Sequence, residues 1–390
     1  MSDEISREAS GGYQPEPTDC TPAQEYHWRS PTAGYPGNPG GRKPVVELTI
    51  VTAIAAVAVF GGSVALCAPE PDAGGKAVDP IPFELFASFK RIPKGNPVFY
   101  CKPPEWAAAA HAMVVGDTVH YLWARQKKGN YWVMMHSTAP ASDPAKVTHD
   151  RRNPVVVPGK RGTFDDYTTE YPFPFRNPAD GRLYVYYLGR RRRVPKQTGL
   201  LVGDGDFGKW TRVRTTPVIA ADTPYEKQGS SHPSVAVDGE MIHIIYTGES
   251  AKPPVICHAT ASTRDPAAVT KDPANPVFTG TGKEWDRDGV REAEIFKGPR
   301  YYHILYGGRE GDTWRIGHVR TRDFRTFEPN PHNPIFTPTG EAGSWEGKGI
   351  LTPQVFRAAG SFYLLYAGFN GKEWQSGLAV AAQDREANSP

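Results

Sequence analysis

A proline-containing tetrad returns five times along this chain at nearly even spacing. The copies are Asn96-Pro97-Val98-Phe99, Asn153-Pro154-Val155-Val156, Thr216-Pro217-Val218-Ile219, Asn275-Pro276-Val277-Phe278 and Asn333-Pro334-Ile335-Phe336. Successive prolines stand 57, 63, 59 and 58 residues apart. A period of this size marks a repeat architecture, in which no single copy can bury its apolar face without its neighbours.

A second pattern keeps the same period. Tyr187-Leu188-Gly189, Tyr246-Thr247-Gly248, Tyr306-Gly307-Gly308 and Tyr366-Ala367-Gly368 each close an aromatic, β-branched run, and Trp123-Ala124-Arg125 closes the matching run in the first copy. The runs Val119–Trp123, Leu183–Tyr187, Ile242–Tyr246, Tyr301–Tyr306 and Phe362–Tyr366 have strand composition and are bounded by turn-forming residues. After residue 80 no apolar stripe of helical period stands out. Each copy has room for four strands. In the fourth these are placed near Glu292–Phe296, Tyr301–Tyr306, Arg315–Thr321 and Pro334–Phe336. Five radially stacked four-stranded sheets predict an all-β, five-bladed β-propeller. The last copy ends near Ala382, too early for a fourth strand, so the segment around Phe83–Phe99 is expected to supply it and close the ring.

The 40 glycines and 38 prolines, a fifth of the 390 residues, suit short strands and turns. A formal net charge of +3 gives no ground for nucleic-acid binding. Residues 1–44 read as a disordered tail, rich in Gly, Pro, Ser and Glu. Leu48 to Ala68 is then a run of 21 uncharged residues behind Arg42 and Lys43, long enough to span a bilayer. Residues 45–68 are thus read as a transmembrane anchor or signal segment, 69–80 as a linker, 81–385 as the propeller and 386–390 as a tail. The basic flank predicts a propeller outside the cytoplasm, membrane-anchored, or secreted if cleavage falls near Ala65 or Ala68. Val64-Ala65-Leu66-Cys67 leaves a lipoprotein signal as a third reading. Cys101 and Cys257 sit in different repeats and are expected to be unpaired. A monomer is expected.

In a propeller the innermost strand of each blade begins at the mouth of the central channel. Overlaying Trp285–Glu294 on Trp345–Gln354, and carrying the overlay to the other copies, puts His111, Glu170, His232, Glu292 and Thr352 at that point. Ionisable groups followed by apolar strand residues are costly in a core unless paired or used, so the ring reads as an acid/base constellation. Asp166, Asp288 and Glu294 are further carboxylates within reach, the last on the face of Glu292 by the two-residue strand period. Arg291 adjoins the ring. Trp106 and Trp123 are candidate sugar platforms, whereas Trp285 and Trp345, in one register, read as packing between blades. Arg190-Arg191-Arg192-Arg193 follows a second strand, on the mouth face, and has the chemistry to hold carboxylate or sulfate groups.

The chain resembles the five-bladed propeller glycoside hydrolases, the clan of the arabinanase and β-xylosidase family (family 43), over roughly residues 80–385. Arg291-Glu292-Ala293-Glu294-Ile295-Phe296-Lys297-Gly298, followed by Tyr301-Tyr302-His303-Ile304-Leu305-Tyr306, is similar to the segment that carries that family's general acid. His232-Pro233-Ser234 is similar to the Asp-Pro-Ser segment whose Asp tunes the acid, and Glu170-Tyr171-Pro172 stands where the family has the Asp of its base. The resemblance implies a hydrolase that cleaves the glycosidic bonds of an oligo- or polysaccharide, with inversion. Glu292 would be the acid, Glu170 the base and His232 the tuning group. Two family Asp positions are Glu170 and His232 here. A non-catalytic carbohydrate-binding propeller and a glycoside phosphorylase are the alternatives. No cofactor motif is present: Gly203-Asp204-Gly205-Asp206 is a turn. A structural Ca²⁺ in the channel is compatible with the carboxylates, though no ligand spacing marks one.

Overall fold

A computed structural model describes residues 81–127, 131–250 and 253–381. The expected tail, the apolar run 48–68, the linker, Cys20, Cys67 and residues 386–390 all lie outside them. Among the described residues no helix is long and apolar enough to cross a membrane.

The chain enters through a short helix, α1 (Phe83–Ala87), and a strand, β1 (Phe89–Arg91). Four sheets of consecutive strands follow: β2 (Ala107–Val115), β3 (Thr118–Lys127), β4 (Tyr131–Pro140), β5 (Thr148–His149); β6 (Thr168–Arg176), β7 (Leu183–Arg190), β8 (Gln197–Gly203), β9 (Thr211–Arg212); β10 (Gly229–Asp238), β11 (Met241–Glu249), β12 (Val255–Ser262), β13 (Asp265–Lys271); β14 (Val290–Lys297), β15 (Tyr302–Glu310), β16 (Thr313–Thr321), β17 (Phe327–Pro329). The fifth sheet has β18 (Gly349–Ala358), β19 (Ser361–Phe369) and β20 (Trp374–Ala381), and takes β1 as its outer strand. Phe89 pairs with Ala381 and Arg91 with Ala379, antiparallel. The expected five-bladed propeller and its closure by the N-terminal segment are both present. Closure also covers the edge that β20 would otherwise expose.

The proline tetrads do not form fourth strands. In the fourth blade that strand is Phe327–Pro329, and Phe336 makes only an isolated bridge to Ile316. The tetrads act as ties to third strands. Asn153 accepts from the backbone N–H of His136 at 2.6 Å and donates to its carbonyl at 2.7 Å. Asn275 does the same at His258, Asn333 at His318 and Asn96 at Leu378. Proline suits the position because it has no N–H to leave unpaired.

A second tie lies between strands four and one. Buried Asp165 accepts from Tyr187 Oη at 2.8 Å and from Arg212 of β9 at 2.6 Å. Glu226 takes Lys271 of β13 at 2.6 Å, and Glu346 takes Arg91 of β1 at 2.5 Å. These acids follow the aromatics of the repeat. Trp285 and Trp345 are packing residues, but the rings they cover are in their own blades rather than in neighbouring ones: Tyr306 and Tyr366, at 5.6 and 5.5 Å between ring centroids. Their rings close on Gly308, Gly317, Gly368 and Gly377, where an added Cβ would meet them within 2.5 Å.

The apolar core is a set of inter-blade layers. One runs from Phe173, Tyr186 and Leu200 of the second blade to Val235, Ile244 and Tyr246 of the third. Another joins the first and last blades through Tyr121, Phe356 and Leu378. Cys101 and Cys257 are free thiols.

Candidate active site

All five inner strands break register at the same place. The ladder shifts between Ala108 and His111, Glu170 and Phe173, Ser231 and Ser234, Arg291 and Glu294, and Leu351 and Gln354. At each β-bulge one non-glycine residue takes a left-handed backbone: Ala109 (φ 52°), Tyr171 (52°), His232 (54°), Glu292 (52°) and Thr352 (51°). Such geometry is costly for any residue with a Cβ, and most of all for β-branched Thr352. Bulges of this kind turn a side chain out of the sheet. Here five of them form one ring at the channel mouth.

This ring corrects the sequence overlay in two blades. Its members there are Ala109 and Tyr171, not His111 and Glu170. His111 lies two residues deeper, and Glu170 one residue before the bulge, where the third and fourth blades have Ser231 and Arg291.

Within the ring, Thr352 Oγ1 donates to Glu292 Oε2 at 2.6 Å. Arg291 Nε lies 3.0 Å and His232 Nε2 3.3 Å from Glu292 Oε1. The Glu292 N–H donates to Thr247 Oγ1 at 2.8 Å. Tyr171 meets the His232 ring edge-on, with 3.8 Å between centroids. Glu292 and His232 are each 4 % exposed and Glu170 7 %. Glu170 has one weak donor, Thr168 Oγ1 at 3.3 Å. Burial raises its pKa, partly offset by the charges of Lys196 and Arg190 and reinforced by that of Glu249.

Glu249, at the end of β11, completes the cluster. Ser231 Oγ donates to it at 2.5 Å, Lys196 Nζ at 2.9 Å, and Arg291 lies 3.4 Å away. Its carboxyl is held well below the usual range, because Lys196, Arg291 and the Ser231 hydroxyl together outweigh its burial. Since Ser231 gives its proton to Glu249, its oxygen accepts from His232 Nδ1 at 2.6 Å. That gives the Nδ1–H tautomer and leaves the Nε2 lone pair beside Glu292, 3.3 Å from Oε1, without a hydrogen-bond partner in the protein. Burial and the neighbouring Arg291 push the His232 pKa well below its ordinary value, so the ring is neutral.

The next layer down is a plug. His111 Nε2 is hydrogen-bonded to Glu294 Oε1. Gln354 bonds both backbone groups of Ala112, at 2.6 and 3.1 Å, and Ser234 Oγ accepts from the Ile295 N–H at 2.9 Å. Burial raises the pKa of Glu294, and His111 opposes the rise.

Of the other sequence candidates, Arg291 is in the mouth and Trp106 is at its rim, in an apolar cluster with Trp132, Tyr171 and Trp374. Trp123 is not there. It is stacked on Phe99 in the core at 5.2 Å, with Nε1 donating to Ser137. Asp166 is tied into its own loop by the Gly162 N–H, and Asp288 holds the Gly311 N–H of a hairpin turn. Neither is in the ring. Sequence reading missed Tyr171, Ser231, Glu249 and Lys196. A constant seven-residue step from Phe164, and the X-Pro pairs at Pro172, Pro233 and Pro353, would have found Tyr171. Nothing local marks Glu249, because Arg190, Arg309 and Phe369 take its place in other blades.

Among the described residues no group of three or more His, Cys, Asp or Glu is arranged to hold a metal ion.

No family model and no curated protein sequence matches the chain. Solved structures do match. A glycosyl hydrolase from Bacteroides ovatus aligns with a TM-score of 0.63 at 15 % identity, over 80 % of this chain and 98 % of that one. A structure from work on the GH130 family of mannoside phosphorylases, which contains glycoside hydrolases that target β-1,2 mannosidic linkages in Candida mannan, aligns at 0.62 and 15 %, over 78 % and 98 %. An α-L-arabinofuranosidase from Podospora anserina in complex with cellotriose aligns at 0.52 and 10 %, over 74 % and 95 %. The five-bladed propeller of this chain is therefore the fold that these structures share. At these identities the likeness is one of fold.

Proposed function

We propose that this protein is a glycoside hydrolase acting on an oligo- or polysaccharide at the channel mouth. One observation carries the reading: Glu170 and Glu292 stand at one mouth in opposite settings. Glu170 is desolvated, poorly hydrogen-bonded and raised in pKa, the setting of a proton donor. Glu292 is in an ion pair with Arg291 and accepts from Thr352, the setting of a proton acceptor. Paired carboxylates whose surroundings differ in this way divide acid and base roles.

The roles assigned by resemblance are thereby exchanged. Glu170 protonates the glycosidic oxygen. Glu292 takes a proton from the attacking water, and the His232 lone pair accepts a hydrogen bond from that water or from a sugar hydroxyl. Glu249 holds His232 in its tautomer through Ser231. The distance between the two carboxyl groups governs stereochemistry: about 6.5–9.5 Å leaves room for water and gives inversion. Inversion, the outcome implied by the resemblance to the arabinanase group, stays part of the proposal.

The test is reducing-sugar release by the full chain from a polysaccharide panel, beside Glu170→Gln and Glu292→Gln, with NMR of the first-formed anomer. Release lost in both variants supports the reading. Binding without release would favour the non-catalytic propeller. A second reading, phosphorolysis, draws on the cations Lys196, Arg190 and Arg291 around the carboxylates; turnover that requires inorganic phosphate would select it. Anchoring of the propeller outside the cytoplasm by residues 45–68 also stays a proposal, testable by fractionation of cells expressing the full chain.

A further inference from the structure

The mouth is chemically divided. On the first blade, beside Trp374 of the last, it is apolar. Buried Ala109 stands where other blades present Tyr171, His232, Glu292 and Thr352, and with Ala108 and Ala124 it packs against buried Trp132 and half-buried Trp106 and Trp374. Trp374 is stacked on Phe369, 4.8 Å between centroids. Flat aromatic faces beside small residues suit the C–H face of a sugar ring.

The second blade is cationic on the same face. Arg190 pairs in register with Thr168, two residues before Glu170, and its charge acts on Glu170. Its Nε is buried with no hydrogen-bond partner. The β7–β8 turn that follows carries Arg191, Arg192 and Arg193, all exposed. Arg191 lies 3.6 Å from Asp166. Arg190 and Arg192 both lie over the Tyr167 ring, at 5.6 and 5.0 Å from its centroid. Among the described residues no carboxylate comes within ion-pair distance of Arg190, Arg192 or Arg193. By contrast, Lys196 and Arg291 are matched by Glu249 and Glu292. Arg309 of the fourth blade, at the register position of Arg190, also has a buried Nε without a hydrogen-bond partner, but its guanidinium donates to the Asp288 carbonyl. The run of neighbouring arginines without a carboxylate is on the second blade, where one aromatic ring positions two of the guanidinium groups. Guanidinium forks match planar carboxylate and tetrahedral sulfate oxygens bidentately.

We propose that the substrate is an acidic glycan, whose carboxylate or sulfate group binds Arg190 and Arg192 on the second blade while a neutral ring stacks on the half-exposed indoles of Trp106 and Trp374. The inference rests on the carbohydrate reading above and gives its substrate class.

The experiment measures binding rather than turnover, in the full chain carrying Glu292→Gln, by calorimetry. The probes are oligogalacturonates, the same oligosaccharides with carboxyl groups reduced to alcohols, and sulfated and desulfated galactan oligosaccharides. The expected result is at least about tenfold tighter binding to one acidic member of a pair than to its neutral partner. That preference should weaken with salt and vanish in Arg190→Gln/Arg192→Gln, which keeps the neutral affinity. Preference for the uronate pair identifies a carboxylate, and preference for the sulfated pair a sulfate. Equal binding of both members, or a preference that survives the double variant, overturns the acidic-glycan inference while leaving the carbohydrate reading intact. Binding to none of these, together with hydrolysis of neutral polysaccharides by the wild type, overturns it as well. Failure of hydrolysis with acidic binding intact would count against the hydrolase reading alone.

Discussion

Phe86 lies on the imidazole of His318, with 3.9 Å between ring centroids and 29° between planes, and on His303 at 4.8 Å. The contact joins α1, at the start of the propeller, to the fourth blade. It has two counterparts. Phe207 stacks on His120 at 4.0 Å, and Phe324 on His258 at 4.0 Å. In those pairs the Phe comes from the connection between strands three and four of the next blade. Because the fifth blade takes its fourth strand from the N terminus, its covering Phe must come from there too, and it is Phe86.

Removing that ring should loosen the closure. Phe86 is fully buried, and truncating a buried Phe to Ala costs about 3–5 kcal/mol. Urea unfolding of Phe86→Ala should show a loss in that range. A loss below about 1 kcal/mol would mean that the β1–β20 ladder alone holds the ring shut.

The histidine pairs predict acid lability. His120 Nδ1 donates to His136 Nε2 at 3.1 Å, and His136 Nδ1 donates to Asp150 at 2.8 Å; His243, His258 and Asp272 repeat the relay. Burial, and then the partner imidazole, lowers His120 and His243 to about 4. A folded pKa below the ordinary 6.5 favours the neutral ring in the folded state. The stability this gives is fully present above about pH 6.5 and is lost as pH falls toward 4. Asp150 and Asp272 are lowered as well, so their contribution is lost at lower pH, below the ordinary carboxylate range. Melting temperature should therefore fall between pH 7 and 5, and fall less in His120→Gln/His243→Gln. A flat profile over that interval would refute this.

His111 and Glu294 are expected to hold the channel together rather than to touch substrate. Deleting one partner of a buried hydrogen bond leaves the other unsatisfied and costs about 1–3 kcal/mol. His111→Ala should show a stability loss of that order with KM unchanged. A stable variant with raised KM would instead place His111 in the binding site.

Glu249 is expected to act on the reaction through Ser231 and His232. Glu249→Gln keeps the shape but weakens the acceptor that fixes the His232 tautomer. It should lower kcat about tenfold to a hundredfold with little change in KM, alongside the stability loss that follows from leaving Lys196 and Arg291 without this carboxylate, and alter the pH–rate profile. A change in stability alone would make Glu249 a structural acid.

The blade count, the second strands and the N-terminal closure were legible because they rest on periodic, local signals: proline tetrads and aromatic runs. The fourth strands were not. Phe327–Pro329 is too short to carry a pattern, and the nearby Asn333-Pro334 was the stronger signal. The ring was readable where its blades share one spacing, at His232, Glu292 and Thr352. It slipped at Tyr171, where a charged neighbour, Glu170, drew the overlay by one residue, and at Ala109, which carries no functional group to see. Glu249, at the end of a second strand, and Lys196, just before a third, are brought to the mouth by register alone.

The central claim is the division of labour between Glu170 and Glu292. The most direct test compares turnover of the polysaccharide with that of a dinitrophenyl glycoside of the same sugar, whose leaving group needs no protonation. Glu170→Gln should lose at least about a hundredfold on the polysaccharide and stay within about tenfold of wild type on the aryl glycoside. Glu292→Gln should lose activity on both. Sparing of the aryl glycoside by Glu292→Gln instead would make Glu292 the acid and contradict the account.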